Sequence, residues 1–348
     1  MIERDETIDR LRGIAMIWVI AVHALYWGAF CSDQTFNLLK SFFLFEMPLF
    51  FFVTGAANSF SRSNSNSGYV YKRFKRILIP YWVFAIICAG LTIAKIIRRE
   101  GGIDPETAVK IIGSWLVPID KQMTSIQYLT WAVWFIPVYL CVVLTIPLLK
   151  KIKLTKISLV FILVLLVLFV LSCVFSFGWF QNVFFYVVWT YIGLFYSEIK
   201  ASRCKNSFKR LLTFIALCSL SALAVLRANQ YSLDMQANKF PPNIAFCFFS
   251  IAAMSLIILA LPFIDRICKV LCKYKLIDKT FNLFSTRSLT VYLYQVFAFT
   301  VTIKAVNYLL HGDTVTLGII KTSLCFFLTL PLCVLGAALF GKIEDMAK

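Results

Sequence analysis

The sequence predicts an all-α polytopic membrane protein, a bundle of about ten transmembrane helices with both termini on the cytoplasmic side. Hydrophobic residues make up 60% of the 348 residues and charged residues only 15%, whereas soluble domains are about half apolar and about a quarter charged. The apolar residues form blocks long enough to cross about 30 Å of hydrocarbon as helices. We therefore expect one transmembrane domain over residues 1–348, without an appended soluble domain.

Basic residues between the apolar blocks predict how the chain crosses the membrane. Lys and Arg accumulate on the cytoplasmic side of membrane proteins, and most of the 35 basic residues fall at the termini or in every second loop. This alternation predicts a multi-pass protein of the plasma (inner) membrane. The expected spans are residues 12–30, 41–60, 77–97, 129–149, 157–177, 183–199, 211–227, 243–264, 289–309 and 316–340.

The net charge of +18 follows from these basic loops, which face anionic lipid headgroups. No loop is long enough to form a basic soluble domain, so we expect no nucleic-acid partner. Most of the eleven cysteines lie within apolar blocks and are expected to pack as small apolar side chains. Cys268 and Cys272 lack further nearby ligands, so no metal site is predicted. The sequence leaves the oligomeric state open.

The first span, "RLRGIAMIWVIAVH", begins with arginines and carries one of the two histidines of the chain. Eleven residues separate Arg12 from His23, which is three helical turns plus about 20° and about 16 Å of rise. Both side chains therefore lie on one helix face. If Arg12 marks the membrane surface, His23 lies near the bilayer centre, where ionisable groups tend to mark pathways or active sites. The alternative is a core histidine bonded to a neighbour.

The second span, "SFFLFEMPLFFFVTGAA", contains Glu46 at a depth similar to that of His23. A buried carboxylate is costly without a partner, and a pair with His23 would raise the basicity of the imidazole, as a general base requires. The alternative is that Glu46 meets Lys40 or Arg99 at the outer interface. His23 and Glu46 are the candidate catalytic residues.

A cluster of four cations follows the second span, in "YVYKRFKRILIPYW". Arg73 and Arg76 are three residues apart and share a helix face, and Lys72 and Lys75 flank them. Forked guanidinium contacts neutralise phosphates, although lipid headgroups would also be bound by such a cluster. Together with Arg12, the cluster predicts a receptor for a phosphate-bearing cofactor.

The longest outer loop, about residues 98–128, is expected to contain a short surface helix. Asp104 and Pro105 in "GGIDPETAVKIIGSW" fit the capping residue and the first residue of a helix.

These stretches, in this order, resemble the membrane-bound acyltransferase-3 family, which acylates sugars and related glycans. Sequences of the family begin with an Asp-x-x-Arg-Gly motif, and a histidine follows the arginine after ten residues. The segment "MPLFFFVTG" fits a second motif, Met-Pro-Leu-Phe-Phe-Phe-x-Ser-Gly, with Thr54 in place of Ser. The stretch "MPLFFF" resembles the corresponding motif of the fucose 4-O-acetylase-like branch. One position departs from the pattern: "VYLYQVF" has Gln295 where many members have histidine. The matching residues are Asp9, Arg12, Gly13, His23, Arg73 and Arg76, with "ILIPYW" and "VWFIPVY".

The resemblance implies acetyl-CoA as co-substrate and no metal. It places the phosphates of CoA near Arg12, Arg73 and Arg76, to which Lys72 is added as a neighbour, and it makes His23 essential, as a general base or as an acyl relay. The acceptor would be a hydroxyl of a sugar or glycan. Trp134 and Tyr139 are candidate acceptor contacts, although aromatic side chains also form interfacial belts.

Two other functions compete with acyl transfer. A proton-coupled transporter or flippase of a glycan or lipid-linked substrate would use His23 and Glu46 as a proton relay, but it predicts a paired pattern of interrupted helices that the sequence lacks. A family member that has lost its activity and acts as a sensor is suggested only by Gln295.

Overall fold

The computed structural model describes residues 6–60, 66–118, 122–153, 155 and 158–346. Over these residues all regular elements are α-helices. They are α1 (Glu6–Trp27), α2 (Gln34–Ser41), α3 (Glu46–Ser59), α4 (Asn66–Glu100), α5 (Pro105–Leu116), α6 (Phe135–Lys153), α7 (Ser158–Val174), α8 (Trp179–Leu194), α9 (Tyr196–Ser202), α10 (Asn206–Ala228), α11 (Met235–Asn238), α12 (Ile244–Leu271), α13 (Lys275–Thr286), α14 (Ser288–Leu309) and α15 (Val315–Met346).

Within the described residues, seven helical stretches are long and apolar enough to cross a membrane. They include α3, α4, α6, α10, α12, α14 and α15. Each predicted span overlaps at least one helix of the structure, and spans 41–60 and 183–199 also reach α2 and α9 respectively. The remaining three are α7 and α8, with 17 and 16 residues, and α1, whose first turns carry acids and arginines. The helical membrane architecture is confirmed, while the count of ten and the side of each terminus stay predictions.

The chain divides into two units, and α1 and α6 each run through the division. The first unit is Met1–Val22, Cys31–Ser63 and Thr145–Ser285; the second is His23–Phe30, Asn64–Leu144 and Thr286–Lys348.

Close helix packing in the first unit depends on glycine. Helices α3 and α8 cross at Gly55 and Gly193, where an added Cβ would collide with the carbonyl oxygens of Thr190 and Phe52 respectively. Small residues let helix backbones approach in this way within membranes. The glycine of the "MPLFFFVTG" stretch is therefore a packing residue.

In the second unit, α14 packs along α15, and both contact α4. Helix α5, which packs on α4, confirms the short helix predicted within residues 98–128. Its capping residue is Asp104, whose carboxylate accepts a hydrogen bond of 2.8 Å from the backbone N–H of Thr107. Hydrogen bonds from the side chain and from the backbone N–H of Thr107, in that order of size, lower the pKa of Asp104, because they favour the charged form.

Candidate active site

His23 is buried in the second unit against Gln295 of α14. Nδ1 of the imidazole lies 3.0 Å from Oε1 of Gln295, and Nε2 of that amide donates to the Tyr292 carbonyl at 2.9 Å. Since the amide N–H faces Tyr292, its carbonyl oxygen faces the imidazole and requires the proton on Nδ1. Nε2 of His23 then holds the basic lone pair.

Aromatic rings surround the imidazole. Trp27 stacks on His23 with ring centroids 4.1 Å apart, and Tyr292 and Phe299 lie at 6.2 and 6.3 Å. Trp27 in turn contacts Tyr128 at 6.2 Å and Trp131 at 5.5 Å. Trp131 remains 43% exposed, so the aromatic cluster extends from the buried imidazole to the surface of the unit.

The predicted acceptor contacts Trp134 and Tyr139 are both half-buried and lie beside this cluster. Phe135 connects them to it: its ring stacks on Tyr139 at 5.0 Å, meets Trp134 edge-on at 6.2 Å and lies 4.6 Å from Tyr292. Tyr139 therefore reaches the surroundings of His23 through two intervening rings.

Arg76, a predicted phosphate contact, lies beside a carboxylate of α15. One guanidinium nitrogen is 3.7 Å from the buried Glu344, which is longer than the ~2.7–2.9 Å of a charge-assisted hydrogen bond. The same carboxylate accepts bonds from the backbone N–H and the hydroxyl of Thr290, at 3.1 and 2.9 Å. It thereby satisfies donors at the N-terminal end of α14.

The other cations of the cluster are more accessible. Lys72 and Lys75 are exposed, and the half-buried Arg73 guanidinium lies 5.0 Å from the ring centroid of Tyr69. The structure therefore presents three further cations on the same turns of α4 as Arg76.

Helix α14 links the basic cluster to the imidazole. Thr290 shares Glu344 with Arg76, and Gln295, five positions further along, bonds His23. Five residues of α-helix span about 7.5 Å, so the two contacts lie about one and a half turns apart on a single rigid element.

Arg12 lies on the same uninterrupted helix as His23, α1. Its side chain is 25% exposed and lies 3.9 Å from Asp9. Gly13, the next residue of the motif, packs against the backbone of Phe281, where an added Cβ would approach the carbonyl oxygen to 2.8 Å.

Glu46 forms a buried ion pair with Lys239 in the first unit. The structure thus gives His23 and Glu46 different partners, Gln295 and Lys239, where we expected them to pair with each other. Lys40 and Arg99, the alternatives considered for Glu46, are not its partner either.

Sequence reasoning missed Lys239, Glu344, Trp27 and Tyr292. Two of these carried a signal: Trp27 is four residues after His23 and so shares its helix face, and Tyr292 stands in the "VYLYQVF" stretch that singled out Gln295. Among the described residues, no three His, Cys, Asp or Glu side chains form a group able to hold a metal ion.

The comparison with protein families identifies the chain. A model of the acyltransferase-3 family, described as an acyltransferase domain, matches residues 5–338. The chain belongs to the acyltransferase-3 family. It is a multi-pass membrane acyltransferase, and the match extends over residues of both units. The fucose 4-O-acetylase-like branch stays a prediction. Neither the comparison with curated proteins nor that with solved structures finds a match.

We predict that the stability of this acyltransferase depends on Lys239 compensating the buried charge of Glu46. Lys239→Met would leave the carboxylate buried without a cation and cost about 3–5 kcal/mol of stability. The double variant Glu46→Gln/Lys239→Met should recover most of that loss, as measured by the midpoint of thermal unfolding in detergent.

The exposed pair of Lys110 and Glu106 provides the control. Lys110→Met should cost at most about 1 kcal/mol, because exposed ion pairs contribute little. A double variant at 46 and 239 that is as unstable as Lys239→Met alone would show that the buried charge is not the cause.

Proposed function

We propose that this acyltransferase moves an acetyl group from cytoplasmic acetyl-CoA to a hydroxyl of a sugar or glycan, with Nε2 of His23 as the general base. The observation that carries the proposal is the buried imidazole whose Nδ1 faces the amide oxygen of Gln295 at 3.0 Å. A general base needs a lone pair held in a fixed direction. The bond to Gln295 and the ring of Trp27 supply that restraint.

In the proposed step, Nε2 of His23 takes the proton of the acceptor hydroxyl as its oxygen attacks the thioester carbon. The tetrahedral intermediate collapses, the carbon–sulfur bond breaks, and the CoA thiolate leaves. The imidazolium returns its proton to the thiolate, so the products are the O-acetylated acceptor and CoA. Throughout, the imidazolium would donate from Nδ1 to Gln295, which spreads its charge onto a polar partner.

The basic cluster of α4 supports a nucleotide thioester as the donor. Lys72, Arg73 and Arg76 together provide the charge that phosphates require, and Arg12 is a further contact implied by the family motif. The pantetheine arm would follow α14 toward the imidazole, since the Arg76 and His23 contacts lie about 7.5 Å apart along that helix. Holding both reactants at one site lowers the entropic part of the barrier.

The aromatic cluster supports a sugar as the acceptor. Rings of Trp and Tyr present flat apolar faces with polar edges, which suit the faces of pyranose rings. The exposed Trp131, with Trp134 and Tyr139 behind it, would hold the acceptor beside Trp27 and the imidazole. Glu46 is not assigned a step, because its described partner is Lys239.

The same lone pair of His23 would also serve a two-step route, in which the imidazole itself attacks the thioester and carries the acetyl group to the acceptor. Incubation with radiolabelled acetyl-CoA without acceptor distinguishes the routes. Label retained on the wild-type protein, and lost in His23→Ala, indicates the acetyl-histidine route; absence of label indicates direct transfer.

We predict that His23→Ala lowers kcat for acetyl transfer by about 10²–10⁴-fold, the usual contribution of a general base. The chain supplies a matched control, because His311 is exposed and is its only other histidine. His311→Ala should leave the rate unchanged. Release of the CoA thiol in the presence of glycan acceptor measures both.

Equal rates for His23→Ala and the wild type would contradict the proposal. A transporter would instead accumulate a glycan across a vesicle membrane without acetyl-CoA and without releasing CoA.

We also predict that Arg76→Ala raises KM for acetyl-CoA by about tenfold or more, the effect of losing one charge-assisted contact, with a smaller change in kcat. Lys75→Ala, on the same turn but exposed, is the control and should change KM little. Steady-state kinetics with varied acetyl-CoA measure both variants. Equal effects of the two substitutions would indicate that the cluster binds lipid headgroups instead.

A further inference from the structure

An open cavity lies in the second unit, at the end of α4 opposite the basic cluster. Its volume is about 270 Å³, close to the lower end of the ~300–1,000 Å³ typical of ligand sites. Helix α4, helix α5 and residues 123–125 form its walls, and it is open on one side. The lining side chains that bear on its chemistry are Thr92, Lys95, Arg99, Glu100, Thr124 and Ser125.

Hydrogen bonds hold the walls of this cavity in place. Thr92 and Thr124 share a bond of 2.8 Å between their hydroxyls, and the Lys95 ammonium donates to the Ser125 carbonyl at 2.8 Å. The backbone N–H of Met123 donates to the Ser114 hydroxyl at 2.9 Å. Residues 123–125 are thereby attached to both helices, so the cavity is formed before any ligand enters.

The lining groups suit a ligand that carries both negative charge and hydroxyls. The Arg99 side chain has no hydrogen bond or ion pair with any part of the chain that the structure describes, and Lys95 places a second cation in the wall. Guanidinium groups bind carboxylates through two parallel bonds. Glu100 and Ser125 add groups that bind hydroxyls, and the two cations outnumber the one carboxylate.

The position of the cavity fits the acceptor rather than the donor. Helix α4 is one of the stretches able to span a membrane, and Arg76 and Lys95 are about 28 Å apart along its axis. That distance is close to the ~30 Å thickness of the hydrocarbon region. A ligand in the cavity therefore lies across the membrane from the cations proposed to hold CoA.

A short stretch of chain connects the cavity to the imidazole. Three residues after Ser125, Tyr128 has a φ of 73°, a left-handed conformation that costs a tyrosine energy and persists where the surroundings require it. Its ring is parallel to that of Trp27 at 6.2 Å, and Trp27 stacks on His23. One wall of the cavity thus continues directly into the aromatic cluster of the proposed active site.

We propose that this cavity is a subsite for a carboxylate-bearing sugar unit of the acceptor, held by Arg99 and Lys95, so that the acceptor is an acidic glycan. The assignment of the cavity as an acceptor site rests on the proposed function. Binding of an acidic glycan to it is measurable without acetyl transfer. A sugar further along the same glycan would lie beside the rings of Tyr128 and Trp131 and present its hydroxyl to His23.

Calorimetric titration of the full-length protein in phosphatidylcholine nanodiscs tests the proposal. The probes are a tetramer of β-1,4-linked glucuronic acid and cellotetraose, which has an uncharged hydroxymethyl group in place of each carboxylate. The wild type should bind the acidic tetramer at least about tenfold more tightly than the neutral one, the value expected for a charge-assisted pair. Arg99→Gln should remove that difference.

Arg98→Gln is the matched control, since Arg98 is exposed on the same turn and does not line the cavity. It should bind the acidic tetramer within about twofold of the wild type, as surface substitutions do. Equal affinity of the wild type for the two tetramers, or equal losses in Arg98→Gln and Arg99→Gln, would overturn the subsite. So would an Arg99→Gln variant that binds both tetramers as the wild type does. If that variant, purified from native membranes, also retains less phosphatidylglycerol than the wild type, Arg99 is a lipid contact.

His23→Ala keeps the two proposals distinguishable. The subsite predicts that this variant binds the acidic tetramer as the wild type does. If the wild type binds the acidic tetramer through Arg99 but transfers no acetyl group, the proposed function is contradicted and the subsite is supported. Acetyl transfer to neutral and acidic tetramers alike, unaffected by Arg99→Gln, would contradict the subsite alone.

Discussion

The hydrogen bond between His23 and Gln295 is the contact on which the proposed chemistry depends. A neutral imidazole has one donor and one acceptor nitrogen, and only the acceptor can take a proton from a hydroxyl. The Gln295 amide is itself held by the Tyr292 carbonyl, so its oxygen cannot exchange places with its nitrogen without losing a bond. In the proposed mechanism, Gln295 is therefore a positioning residue.

Helix α14 organises the remainder of the site. Its N-terminal end meets Glu344, which lies beside Arg76, and its middle carries Gln295. The proposed base contacts α14 directly, and Arg76, a proposed donor contact, lies beside Glu344, which bonds the same helix. The constant rise per residue of α14 therefore sets the spacing of the two contacts. The cavity lies at the far end of α4, and the length of this helix sets the distance between the cavity and the proposed donor cations.

Local patterns in the sequence predicted the helices and several site features, while the pairing of side chains was beyond them. Span lengths, the Asp104 cap and the burial of His23 follow from composition and spacing over a few turns. The partner of His23 is 272 positions away and that of Glu46 is 193 positions away. Such contacts depend on which helices pack together, and helical periodicity carries no information about that choice.

The protonation of His23 tests the central claim most directly. The chain has only two histidines, so His311→Gln leaves a single imidazole whose nitrogens are resolved by solid-state ¹⁵N NMR in lipid. The account predicts a protonated Nδ1 and an unprotonated Nε2, and a mixture of the two neutral tautomers after a further Gln295→Leu substitution. A proton found on Nε2, or a spectrum that Gln295→Leu leaves unchanged, would contradict it.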